Sequence, residues 1–162
     1  MRFSFAIMTA IASLASANFD LYVAQDAGLG AGNQFFGWTI HPAEPDCNRV
    51  LNHAEFYHDQ DDLSGRTIGV RCEGQGCHRN QPENVNVLEM HFSNKPLYHW
   101  TIYKDRGHPY KMYGLDGKTY GECIMFPGDD YTCGVFDGSV RSGVRMFRCL
   151  TQWTADDIQR GD

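Results

Sequence analysis

The chain has 162 residues, with 14 Lys and Arg against 20 Asp and Glu, a formal charge of −6, and six cysteines. That length suits one domain with a real core. The acidic balance repels phosphate backbones and so disfavours nucleic-acid partners.

Residues 1–17 read as a signal peptide. Arg2 gives a positive start, Phe3 to Leu14 is mostly apolar, and Ala15-Ser16-Ala17 is a small-x-small cleavage site. The run is short and is interrupted by Ser4, Thr9 and Ser13, so an anchor is the weaker reading. The expected mature domain is 18–162, which is 145 residues once the leader is removed from the 162. The leader takes one of the 14 basic residues, leaving 13 against 20 acidic and a charge of −7. No later run is long and apolar enough for a membrane helix, and the polar C-terminus lacks a lipid-anchor signal. The expected product is therefore secreted, with no membrane partner and a monomeric state.

Aromatic and Gly residues are plentiful, helical periodicity is scarce and short alternating runs are common. This predicts an all-β domain, a compact antiparallel sandwich or barrel-like fold with long loops. Phe19 to Ala24 is the first expected strand, 25–34 a Gly-rich loop and Phe35 to Ile40 the second strand. Residues 41–65 are polar and read as loop. Within them Asp59 to Asp62 invite calcium, but Ser64 and Val70 stand where an EF-hand loop needs Gly and Glu. Arg66 to Cys72 alternates, with Ile68, Val70 and Cys72 on one face.

Two hairpins follow. In the first, Leu88, Met90 and Phe92 share a face with Tyr98, Trp100 and Ile102 if a five-residue loop, Ser93 to Leu97, connects the strands. That register opposes His91 to His99 and Glu89 to Thr101 on the outer face. In the second, a two-residue Asp116-Gly117 turn pairs Leu115 with Lys118, Tyr113 with Tyr120 and Lys111 with Glu122, turning Tyr110, Met112 and Cys123 inward. Val144 to Leu150 is a late strand. Thr154 caps a short C-terminal helical turn through Asp156, Asp157 and Ile158. The chain ends Arg160-Gly161-Asp162, a tripeptide that can engage integrin-like receptors when a loop presents it but is unconstrained at a terminus.

Cys47, Cys72, Cys77, Cys123, Cys133 and Cys149 all follow the leader and predict three disulfides. Cys72 and Cys77 flank Glu73-Gly74-Gln75-Gly76 and are favoured as a local pair. The other pairings stay open. No Cys-x-x-Cys knuckle supports zinc, and no metal or other cofactor is expected.

The one constellation with chemistry is Glu89, His91 and His99. Imidazoles titrate near neutrality, and a His pair with a carboxylate does general acid–base work. Arg106, or Lys104 beside it, would supply the cation that holds a phosphate in a ribonuclease-like hydrolase. With Lys111 these residues also form a local basic patch. Two imidazoles and a carboxylate could equally hold a metal. The simpler reading is a solvated polar sheet face. Trp38, Trp100, Trp153 and eight tyrosines could build a sugar-stacking platform, although such rings in a β domain mostly fill the core. No Gly-x-Ser-x-Gly elbow and no His-Glu-x-x-His helix occurs.

The layout resembles the small secreted cysteine-rich proteins of filamentous fungi, many of them candidate effectors. The likeness is one of class. It rests on the leader, the mature length, three expected bridges, the acidic charge, and segments such as Val70-Arg71-Cys72-Glu73-Gly74 and Met112-Tyr113-Gly114-Leu115-Asp116-Gly117. It implies a virulence-associated protein that acts outside the producing cell by binding a host protein or cell-wall component, with uptake into host cells left open. It leans away from an enzyme and assigns no functional residue. The alternatives are the small hydrolase and a lectin-like glycan-binding module.

Overall fold

The structure is a computed structural model, and it describes residues 18–27, 35–59, 63, 65, 67–78, 81–136 and 138–160. The signal-peptide reading, most of the acidic run at 59–62 and the last two residues of the C-terminal tripeptide lie outside them.

Ten strands form one sheet: β1 (Asn18–Ala27), β2 (Phe35–His41), β3 (Glu55–Asp59), β4 (Gly69–Gly74), β5 (Val85–Asn94), β6 (Leu97–Tyr103), β7 (Tyr110–Gly114), β8 (Thr119–Met125), β9 (Tyr131–Gly134) and β10 (Val140–Thr151). Two short α-helices, α1 (Cys47–Asn52) and α2 (Ala155–Arg160), and three 3-10 turns complete the described elements. Neighbours pair in the order β1 to β8, then β10 and β9, and β1 also pairs with β10 from Asn18↔Leu150 to Ala27↔Val140. The ring of pairings therefore closes, and of the two expected β architectures the domain adopts the barrel-like one. All pairings are antiparallel except β3–β4, which is parallel and joins at only His58↔Val70 and Asp59↔Arg71.

Alternation along the strands fills the barrel. Phe19, Leu21 and Val23 of β1, Trp38 and Ile40 of β2, Val70 and Cys72 of β4, and Leu88 and Met90 of β5 all belong to one buried cluster. Tyr98, Trp100 and Ile102 of β6 and Tyr110 and Met112 of β7 complete its far side. Trp38 and Trp100 are thus core residues, not a surface platform, and Trp153 stacks on Trp100 at 5.1 Å between ring centroids. α2 buries Ala155 and Ile158 in the same cluster and touches β1, β2 and β5, strands on different sides of the ring, so it caps one end. Its cap is the expected one. Thr154 Oγ1 accepts from Asp157 N (3.1 Å), while Thr154 N donates to Asp157 Oδ2 (2.9 Å). Among the described residues no helix is long and apolar enough to cross a membrane.

Three disulfides staple this frame: Cys47–Cys133, Cys72–Cys77 and Cys123–Cys149. The favoured local pair forms. Cys123 and Cys149 stand directly opposite each other on β8 and β10. Cys47–Cys133 ties α1 to β9, and beneath this clasp Val50, Tyr22 and Tyr131 form a second buried cluster outside the barrel. His41, at the end of β2, is fully buried there, with ring centroids 5.5 Å from Tyr22, 6.0 Å from Tyr131 and 6.1 Å from His53. Neither of its ring nitrogens has a hydrogen-bond partner among the described residues.

Several details depart from the sequence reading. The polar stretch 41–65 contains α1 and β3. α1 starts where Asp46 Oδ1 accepts from Arg49 N at 2.8 Å, an N-cap signal inside what read as loop. Ile68 precedes β4 and is half exposed, because the strand begins one residue later. The first hairpin keeps Leu88↔Ile102, Met90↔Trp100 and His91↔His99, but a bulge at Phe92 shifts the end to Ser93↔Tyr98 and Asn94↔Leu97. A two-residue Lys95-Pro96 turn then replaces the five-residue loop, held by Ser93 Oγ accepting from Lys95 N at 3.1 Å. In the second hairpin Lys111↔Glu122 and Tyr110↔Cys123 hold, yet Tyr113 pairs with Thr119 rather than Tyr120. Gly117 N donates to Gly114 O and Gly114 N to Lys118 O, both at 2.9 Å, so the loop is Leu115 to Gly117. Only Gly117 takes positive φ (75°), the pattern of a three-residue loop ending in a left-handed glycine.

Candidate functional site

The outer face of β4–β7 carries one continuous row of side chains. The registers set Arg71 opposite Glu89, Glu89 opposite Thr101, and Thr101 opposite Tyr113. A parallel row on one side runs Gly69, His91, His99. The spacing therefore brings Glu89, His91 and His99 together as the sequence suggests, on the face it suggests.

What the sequence reading misses is that this face is shut. His91 is 0% exposed, His99 2% and Glu89 6%. Over His91 the cover includes Leu63, which lies between β3 and β4. Leu63 is fully buried yet lies outside both core clusters, and its side chain sits 3.5 Å from where a Cβ on Gly69 would be. Leu63 thus occupies the outer face over Gly69, directly beside His91. Its carbonyl accepts from His91 Nδ1 at 3.2 Å, and His91 Nε2 lies 3.1 Å from the Asn94 side-chain amide. The solvated-face reading is corrected accordingly: a lone Leu in a polar loop, followed by a Gly in the strand it covers, was the available signal.

The two imidazoles stack nearly parallel, with centroids 4.4 Å apart at 9°. His99 Nε2 donates to Glu89 Oε1 at 2.8 Å, and Arg71 Nε donates to Glu89 Oε2 at 2.7 Å. Arg71 also pairs with Glu73. Burial pulls the Glu89 carboxyl upward, but the hydrogen bonds from Arg71 and His99 outweigh it and hold Glu89 below the ordinary carboxylate range. Glu89 is thus an ionised structural acceptor with both oxygens engaged. Arg71 is a site residue that sequence reasoning did not find, since only the long-range β4–β5 register puts it against Glu89.

The face opens beside this buried chain. A depression of about 480 Å3 is lined by Arg71, Glu89, Thr101, Tyr103, Arg106 and Tyr113 and by the β7–β8 turn. Arg106 stands on the short helical turn after β6 (Lys104–Arg106), its guanidinium 4.0 Å from the ring centroid of Tyr103 and 4.8 Å from that of Tyr113. Two tyrosine faces fix the cation in place. No carboxylate among the described residues lies within ion-pair distance of Arg106. Lys104 is exposed on the same turn and does not line the depression. The expected set is therefore divided: Glu89 and Arg106 reach the opening with Arg71, while His91 and His99 are buried and stacked outside its lining.

Among the described residues no three His, Cys, Asp or Glu side chains converge as metal ligands. The stacked imidazoles turn their nitrogens toward different partners, and the Glu89 oxygens are held by His99 and Arg71. General acid–base chemistry would need an imidazole nitrogen at the opening. Neither His91 nor His99 lines this depression. The chain matches no protein-family model, no curated protein and no solved structure.

Proposed function

We propose that this chain is an exported, disulfide-stapled binding protein of the effector type. On this reading it acts outside the cell that makes it, on a host protein or cell-wall component, through the depression on β4–β7. The observation that carries the proposal is the contrast between the shut His pair and the open, pre-ordered pocket beside it. Arg71 is fixed by Glu89, and Arg106 by two tyrosine rings, so the pocket is set before any ligand arrives, which lowers the ordering cost of binding. Three disulfides support the exported part of the reading, since such bonds persist in oxidising surroundings.

The test is genetic and biochemical together. Deleting the gene should weaken the producer on its host. Re-expressing the wild type should restore it, and re-expressing Arg106→Glu should not. An unchanged phenotype on every host tried would overturn the proposal. The hydrolase reading keeps one favourable feature, the 2.8 Å His99–Glu89 hydrogen bond. RNA cleavage by purified protein between about pH 4 and 8, bracketing imidazole titration, and lost in His99→Asn, would replace binding by catalysis.

A further inference from the structure

The charges around the depression are unequally matched. Arg71 faces two carboxylates, Glu89 and Glu73. Arg106 faces none among the described residues and is held by ring faces, which orient a guanidinium without neutralising it. The opening therefore offers one unspent cation with N–H donors suited to an oxyanion. A polyanion is a poor match, because Glu89 lines the depression, Glu73 pairs with Arg71 at its edge, and the whole chain is acidic at −6.

The rest of the lining is hydroxylic. Thr101, Tyr103 and Tyr113 contribute hydroxyls to it, and beside Gly117 a Cβ would meet nothing within 4 Å. Leu115 is the one aliphatic side chain in the lining. Such a surface rejects an apolar ligand and matches one rich in hydroxyl groups. The volume, about 480 Å3, is that of a small-molecule site.

We infer that the depression holds a sugar acid: a saccharide unit whose single carboxylate pairs with Arg106 and whose hydroxyls meet Thr101 and the tyrosine phenols. This rests on the binding reading above and names its ligand class. The unit could be a free sugar acid or the end of an acidic cell-wall glycan, and the two share the same chemistry at the pocket.

Titration of the full disulfide-bonded domain by NMR and calorimetry tests this. The probes are galacturonate, its methyl ester, glucose, inorganic phosphate and a galacturonate oligomer. Galacturonate should bind and shift the Thr101 and Arg106 signals. Esterification, or Arg106→Gln, should weaken binding by about tenfold or more. Tighter binding of the oligomer than of the monomer identifies a glycan end as the source, and equal binding identifies the free acid. Arg106 is exposed, so the variant should fold. Thr101→Val gives a second one, with an expected loss of severalfold. Absence of galacturonate binding at tens of millimolar would overturn the inference, as would unaltered binding in Arg106→Gln or phosphate binding as tight as the sugar acid. If sugar acids fail while Arg106→Glu still abolishes the host phenotype, the ligand class falls and the binding reading stands.

Discussion

His41 makes the fold acid-sensitive in a way that can be measured. It is fully buried beneath the α1–β9 clasp, and neither ring nitrogen has a hydrogen-bond partner among the described residues. Burial, with Arg49 and His53 nearby, pushes its pKa from 6.5 down to about 3. The unfolded chain takes up a proton at His41 near pH 6.5, whereas the folded chain does so only near pH 3. Acid therefore favours unfolding, and the stability that neutral His41 secures is lost from pH 6.5 downward until about pH 3. At ~1.4 kcal/mol per pH unit the full span amounts to about 5 kcal/mol, comparable with the whole stability of a modest domain. Integrated, the loss is about 2 kcal/mol between pH 7 and 5 and about 3 kcal/mol between pH 7 and 4. The variant His41→Phe keeps a flat ring and cannot titrate. Any packing difference it introduces is constant with pH, so the difference between the two urea-unfolding curves isolates the protonation. Wild-type stability relative to the variant should fall by these amounts on acidification. Wild type and variant running parallel from pH 7 to 4 would refute the reasoning.

Other expectations follow from the same frame. Glu89→Gln removes the buried negative charge that Arg71 and His99 share and should cost about 3 kcal/mol at pH 7 by urea unfolding. Because the Glu89 carboxyl lies below its ordinary value, that cost should shrink as pH falls below about 4.5. Replacing each disulfide by serines should rank by loop length. Removing Cys47–Cys133 (separation 86) should cost about 4–5 kcal/mol, Cys123–Cys149 (26) about 3–4 and Cys72–Cys77 (5) about 2. A reversed order of denaturation midpoints would contradict this. Gly143→Ala drives a Cβ to within 2.2 Å of the Tyr131 ring. It should lower stability by about 1–3 kcal/mol, with Tyr131 fluorescence or NMR reporting the displaced ring. Gly65→Ala meets nothing within 4 Å, yet its φ of +74° should still make it mildly destabilising.

The local signals were readable from sequence. Alternation set Leu88, Met90, Trp100 and Ile102 inward and opposed His91 to His99. Thr154 announced α2, and two glycines between Cys72 and Cys77 announced the short bridge. What escaped were features set by contacts distant in sequence. Arg71 meets Glu89 only through the β4–β5 register. His91 and His99 look like wet-face residues until Leu63 folds across Gly69. The bulge at Phe92 and the three-residue loop before Lys118 were missed because a single extra residue conserves the facing of the strand ends while changing the turn. β3 escaped because its pattern is broken by polar neighbours, and β9 because four residues are too few to show a period.

The seam between the first and last strands has a temporal meaning. β1 zips to β10 along ten residue pairs, from Asn18↔Leu150 to Ala27↔Val140. A ribosome must therefore make β10 before β1 can find its mate. Until then β1 can pair only with β2, and the cylinder stays an open ribbon. Closure is thereby postponed until β10 has been made, which leaves a nascent chain of this topology threadable through a narrow channel for as long as that strand is missing.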